Sequence, residues 1–139
     1  MKVIDILNNT DKPVFSFELV PPLKGGDINK IYEAIEPLIA LAPPFINITF
    51  HRDEVVYREY PDGTIKKVTV TKRPGSVALA AAIMRRYNVD MVPHIVCGGA
   101  TRHKIENELI DLNFLDIENV MALRGDPIPG ERFFTPEEG

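Results

Sequence analysis

Four polar side chains sit late in four otherwise apolar runs: Glu18 in FSFELVPP (15–22), Thr49 in NITF (47–50), His94 in PHIVC (93–97) and Asp126 in ALRGDP (122–127). Carboxyl and imidazole groups are the side chains that most often move protons in enzymes. An unpaired carboxylate within a buried strand costs several kcal/mol or shifts toward the neutral acid. Glu18 is therefore either a structural carboxylate, paired to a lysine or a backbone amide, or a group held for proton transfer. Each of the other three has an ordinary reading as well. Thr49 suits any strand, and His94 after Pro93 suits a satisfied core histidine. Arg124–Gly125–Asp126 spells an adhesion tripeptide, but it ends an apolar strand where adhesion needs an exposed loop tip.

Position is what joins the four. Apolar runs predict strands at 14–20, 45–50, 90–96 and 119–124. Alternate residues face opposite sides of a strand. Phe15, Phe17 and Leu19 then pack on helices while Glu18 points away from them, and Ile46, Ile48 and Phe50 leave Asn47 and Thr49 on the opposite side. Asp90, Val92, His94 and Val96 form one set, as do Val120, Ala122, Arg124 and Asp126 if strand geometry persists through Gly125. One parity choice per strand brings Glu18, Thr49, His94 and Asp126 to a common rim at the C-terminal strand ends.

Helical patterns lie between the strands. One covers 27–41, with Asp27 as N-cap and Pro37 expected to kink or break it. A second covers 74–87, with Pro74 in the first turn and Val77, Ala80, Ala81, Met84 and Tyr87 in one stripe. A third covers 101–115, capped by Thr101, with Ile105, Leu109, Leu112 and Phe114 as a broad apolar face. Glu106, Glu108 and Asp111 fall on a solvated face of that helix. The alternation implies parallel strands joined by crossover helices. An insertion at 54–72 has two alternating segments about Asp62-Gly63, a hairpin signal. The fold class expected is α/β, the first half of a (β/α)₈ barrel with four strands, three helices and this hairpin. Such barrels build their sites at C-terminal strand ends. Open dinucleotide-binding sheets use that edge too, but no G-x-G-x-x-G follows the first strand, which ends in Pro21-Pro22.

Composition narrows the remaining classes. The chain has 139 residues, 45% hydrophobic, with a net charge of −4, enough for one globular unit spanning 1–139. That charge gives little reason to expect nucleic acid or anionic membrane as a partner. No apolar run approaches the roughly 20 residues of a membrane helix, and the N-terminus lacks a signal-peptide pattern. The single Cys97 has no partner for an internal disulfide, so a reducing, cytoplasmic setting is expected. No base is singled out to make Cys97 a nucleophile. His51, His94 and His103 lack the paired spacing of metal ligands, and no metal is expected. The polar stretch at 130–139 forms no recognisable element.

Taken in order on successive strands, FSFELVPP, NITF, PHIVC and ALRGDP resemble the N-terminal half of the flavin-dependent methylenetetrahydrofolate reductases, from about residue 14 to residue 129. The resemblance implies a (β/α)₈ flavoprotein that uses FAD and NAD(P)H to reduce 5,10-methylenetetrahydrofolate to 5-methyltetrahydrofolate, in one-carbon metabolism and methionine biosynthesis. It implies that Glu18 is the catalytic acid, that Thr49 and His94 lie near the flavin, and that Arg124, Gly125 and Asp126 contact flavin and folate. Asp126 is then the second catalytic carboxylate, close to both. The chemistry suits these residue types. Hydride transfer needs the methylene bridge opened to an iminium cation, which needs a proton on the departing folate nitrogen. A carboxyl in an apolar barrel mouth holds such a proton near neutral pH, and an ionised carboxylate stabilises the cation.

Two departures accompany the likeness. The family's Gly- and Ser-rich stretch and Arg-Asp-Arg-Thr-like motif are replaced by FHRDEVVYREYPDGTIKKVTVTKRPG (50–75), and Arg73 is not assigned the role of that stretch. A full barrel takes about 250 residues, so the chain reads as a fragment of a longer reductase. Such a fragment is expected to bind FAD weakly or not at all, and to form a homo-oligomer through open sheet edges. The alternative is a non-catalytic half-barrel serving binding or assembly. A flavin-free lyase or aldolase is a third, weakened by the lack of an inward lysine at any strand end.

Overall fold

The alternating runs fold as the βα pattern requires. In a computed structural model, residues 1–127 are described, and the stretch at 130–139 lies outside them. The elements are α1 (Val3–Asn8), β1 (Phe17–Leu19), α2 (Ile28–Ile39), β2 (Phe45–Ile48), β3 (Glu54–Glu59), β4 (Ile65–Val70), α3 (Ser76–Tyr87), β5 (Asp90–Val96), α4 (Arg102–Phe114) and β6 (Met121–Leu123). The main sheet is parallel, in the order β1-β2-β5-β6. Each strand joins the same growing edge. A stretch of (β/α)₈ barrel has this order, whereas doubly wound sheets reverse theirs.

Register fixes the two faces. Phe17 pairs with Ile46 and Leu19 with Ile48, while Ile46 pairs with Met91 and Ile48 with Pro93. This face carries the core: Ile46 and Ile48 are fully buried with Met91, Ile95, Ile35 of α2, Leu79, Ala80 and Ile83 of α3, and Leu112 of α4. The opposite face carries Glu18 in register with Asn47 and Val92.

Several expected boundaries move, each for a local reason. β1 spans Phe17–Leu19, because one step back in register its partner strand is preceded by Pro43-Pro44, which have no N–H to give. Phe15 is consequently 77% exposed and does not pack on a helix. α2 runs through Pro37. The proline falls in the last turn, and Ala40, Leu41 and Ala42 close that end by bonding the carbonyls of Glu36, Leu38 and Ile39. Pro74 precedes α3, whose N-cap is Gly75. Thr101 caps α4 through the Lys104 amide, but Leu109 and Phe114 of its expected apolar face are exposed and only Leu112 is buried.

Helix α1 was not expected from the sequence. Asn119 holds it, accepting from the Val3 amide at 2.8 Å and donating to the Met1 carbonyl at 2.8 Å. The insertion does form a hairpin, β3 against β4, with Gly63 at φ 78° in its turn.

Candidate active site

Glu18 and His94 meet as strand parity requires. Glu18 Oε2 lies 3.8 Å from His94 Nε2, across β2 and beyond hydrogen-bond reach. His94 is 4% exposed. Burial pushes its imidazole below the usual histidine value, which the nearby Glu18 partly opposes, so at neutral pH the ring is uncharged. Its position is fixed from behind, where the buried Ser76 hydroxyl at the start of α3 donates to the His94 carbonyl at 2.8 Å.

Glu18 itself is 58% exposed. The burial expected for it is therefore absent among the described residues, because its face of β1 carries no helix layer.

Thr49 lies one step beyond Asn47 on the same face. Its amide and hydroxyl both bond the Leu19 carbonyl, at 2.9 Å and 3.3 Å, and the hydroxyl lies 3.3 Å from His51 Nε2. Asn47 was not singled out as a site residue. It is buried and gives its amide to Ser16 Oγ at 3.3 Å, yet its Oδ1 has no partner. His94 Nε2 is likewise buried and without a hydrogen bond. Two buried polar atoms that lack partners on one face are the kind of exception that asks for a ligand.

The last strand departs from the expected parity. His94 pairs with Met121, Ile95 with Ala122 and Val96 with Leu123. Paired residues share a face, so Met121 and Leu123 join His94, while Ala122 falls on the core side. Strand geometry also ends before Asp126, because Gly125 takes φ 80° and Asp126 lies in an exposed bend. Alternation along the strand therefore does not bring Arg124 and Asp126 to the Glu18 face.

Arg52 organises this loop instead, a role that nothing in the sequence signalled. Its Nη2 donates to the Asp126 carbonyl at 2.5 Å and reaches the Arg124 carbonyl at 3.5 Å. A Cβ on Gly125 would collide with that guanidinium and with Val96 Cγ1. Cys97 and Gly98 continue the ladder, bonding the Leu123 and Arg124 carbonyls at 2.7 Å and 2.9 Å. Arg73 donates to the Pro21 carbonyl, tying the end of the insertion to the loop after β1. On α4, Glu106 and Asp111 are exposed as expected. Glu108 is half-buried, and burial pushes its carboxyl up against the opposing pull of Lys104, with Asp111 adding to the rise.

Comparison with known proteins bears on this geometry. The family model described as methylenetetrahydrofolate reductase matches residues 2–139. The chain belongs to the methylenetetrahydrofolate reductase family. Among its relatives, methylenetetrahydrofolate reductase (NADH) 1 of Arabidopsis thaliana is 27% identical over 142 residues, covering 100% of this chain and 21% of the relative. The 5,10-methylenetetrahydrofolate reductase of Salmonella typhimurium is 25% identical over 115 residues, covering 83% of this chain and 33% of the relative. That of Escherichia coli is 24% identical with the same coverage. The chain thus spans about a fifth to a third of the length of these methylenetetrahydrofolate reductases. No helix among the described residues is long and apolar enough to cross a membrane.

Proposed function

We propose that this chain forms the first part of a (β/α)₈ methylenetetrahydrofolate reductase, an oxidoreductase that takes electrons from NAD(P)H and reduces 5,10-methylenetetrahydrofolate to 5-methyltetrahydrofolate. The observation that carries the reading is the approach of Glu18 to a buried, uncharged His94 on the face opposite the helices. Family membership supplies the reaction class.

The residues fit a large polar cofactor. His94 Nε2 and Asn47 Oδ1 are buried and lack partners, and at the end of the last strand the carbonyls of Arg124 and Asp126 are held by Arg52. We assign Thr49, His94, Arg124, Gly125 and Asp126 to holding FAD, which when bound supplies hydride transfer between nicotinamide and folate. An uncharged imidazole presents one donor and one acceptor, so His94 can meet a polar ring edge without bringing a positive charge. In this reading Glu18 is the acid that protonates the folate nitrogen leaving the methylene bridge. Asp126 is assigned to stabilising the cation so formed, which requires the bend after Gly125, and not strand alternation, to turn its carboxylate toward Glu18.

The test is to purify the natural full-length protein, record its visible spectrum, and follow bleaching by NADH and by NADPH before adding methylenetetrahydrofolate. A yellow protein that is bleached by nicotinamide and recoloured by the folate supports the reading. A colourless protein without either half-reaction overturns it in favour of a non-catalytic binding or assembly module.

A further inference from the structure

A cavity of about 690 Å³ opens between the loop after β1 and the hairpin. It shares no lining residue with the Glu18–His94 face. Its floor is apolar, made by Ile28 at the start of α2 and Leu79 in α3 with Val68 and Val70 of β4, and its lining includes Lys24, Arg58 and Arg73. Three cations and no carboxylate line this cavity in a chain whose net charge is −4.

Two nearby carboxylates, Asp27 and Glu54, are engaged elsewhere, and Glu59 beside Arg58 does not line the cavity. Asp27 caps α2 through the Asn29 amide at 2.9 Å, and Glu54 pairs with Lys72 at 2.5 Å. None of Lys24, Arg58 and Arg73 is in an ion pair among the described residues. Like charges gathered without counter-charges repel one another, and a bound anion relieves that repulsion.

The walls are also pinned together. The Lys24 amide bonds the Lys72 carbonyl at 2.7 Å, and Arg73 donates to the Pro21 carbonyl. That bond fixes one guanidinium at the rim, where its other N–H groups remain suited to a phosphate or a carboxylate. The volume suits an organic molecule.

We propose that this cavity binds a multivalent organic anion, one bearing at least two phosphate or carboxylate groups, and that the hairpin exists to complete it. The site uses none of the residues assigned to FAD or to proton transfer. It is tested by calorimetric titration of the full-length protein, at low and at raised salt, with pyrophosphate for the phosphate source and citrate for the carboxylate source. The expected result is saturable one-site binding of at least one probe, weakened about tenfold or more by the double variant Lys24→Gln/Arg58→Gln and weakened by salt. Unchanged thermal unfolding of the variant certifies its fold. Arg58→Glu, alone on the exposed hairpin, should weaken binding in the same direction. Binding of pyrophosphate alone identifies a phosphate ligand, and of citrate alone a carboxylate ligand. Absence of binding by both, or binding that neither variant alters, overturns the proposal.

Discussion

Glu18 and His94 stand 3.8 Å apart on strands that are not neighbours, with Asn47 of the intervening strand in register with Glu18. One exposed acid and one buried neutral base have different fates on protonation, and the first two predictions follow from that difference.

Glu18→Gln keeps the shape of the side chain and removes its acid. On the proposed function, nicotinamide should reduce the flavin of the full-length protein at nearly the original rate, while folate reduction falls by about 10²- to 10⁴-fold, the range for loss of a general acid. Stopped-flow measurement of each half-reaction separates the two. Equal losses in both would remove Glu18 from the acid role.

His94 titrates lower in the folded chain than its ordinary value of 6.5, because it is buried. The folded state then binds fewer protons at this site than the unfolded state. Its contribution to stability is fully present above about pH 6.5 and is lost as pH falls below that value. Thermal unfolding between pH 7.5 and 5.5 should decline more steeply for the natural protein than for His94→Gln, by at most about 1.4 kcal/mol per pH unit. Parallel curves would assign the pH dependence to other groups.

Gly125 and Gly25 have nearly the same backbone, φ 80° and 81°, but only Gly125 has neighbours where a Cβ would go. Both alanine variants meet the left-handed penalty of about 1–2 kcal/mol. Gly125→Ala must in addition displace the Arg52 guanidinium or Val96. Chemical denaturation should therefore rank Gly125→Ala as the more destabilised of the two, and the reverse order would contradict the packing at 125.

Arg52→Ala removes the donor to the Arg124 and Asp126 carbonyls. Because each carbonyl is near solvent, the stability cost should stay near 1 kcal/mol, while hydrogen exchange of the 124–126 amides rises. Arg52→Lys supplies only a point charge and should restore part of the protection. Exchange unchanged in both variants would show that the loop holds itself.

Much of this fold was legible because periodicity reports burial. The 90–96 strand, the hairpin about Asp62-Gly63, the caps Asp27 and Thr101, and the shared side of Glu18 and His94 all follow from local pattern. The misses come from tertiary effects. Helix α1 is short and stands on Asn119, more than a hundred residues away in the chain. Parity failed in the last strand because Met121, not Val120, pairs with His94, and alternation alone cannot choose between them. The exposure of Glu18 depends on what lies over a face, which no strand pattern states. Arg52 works through backbone carbonyls, and those are identical in every sequence.

Ser76 is the first residue of α3, fully buried, and its hydroxyl grips the peptide oxygen of His94. That bond adds a polar tie to the apolar packing of Leu79, Ala80 and Ile83 on Met91 and Ile95, and it acts on the peptide that carries the imidazole on the far side of the sheet. A methyl group in place of the hydroxyl would leave the apolar packing of helix on strand and free the His94 carbonyl, so any change at the imidazole would report that one hydrogen bond.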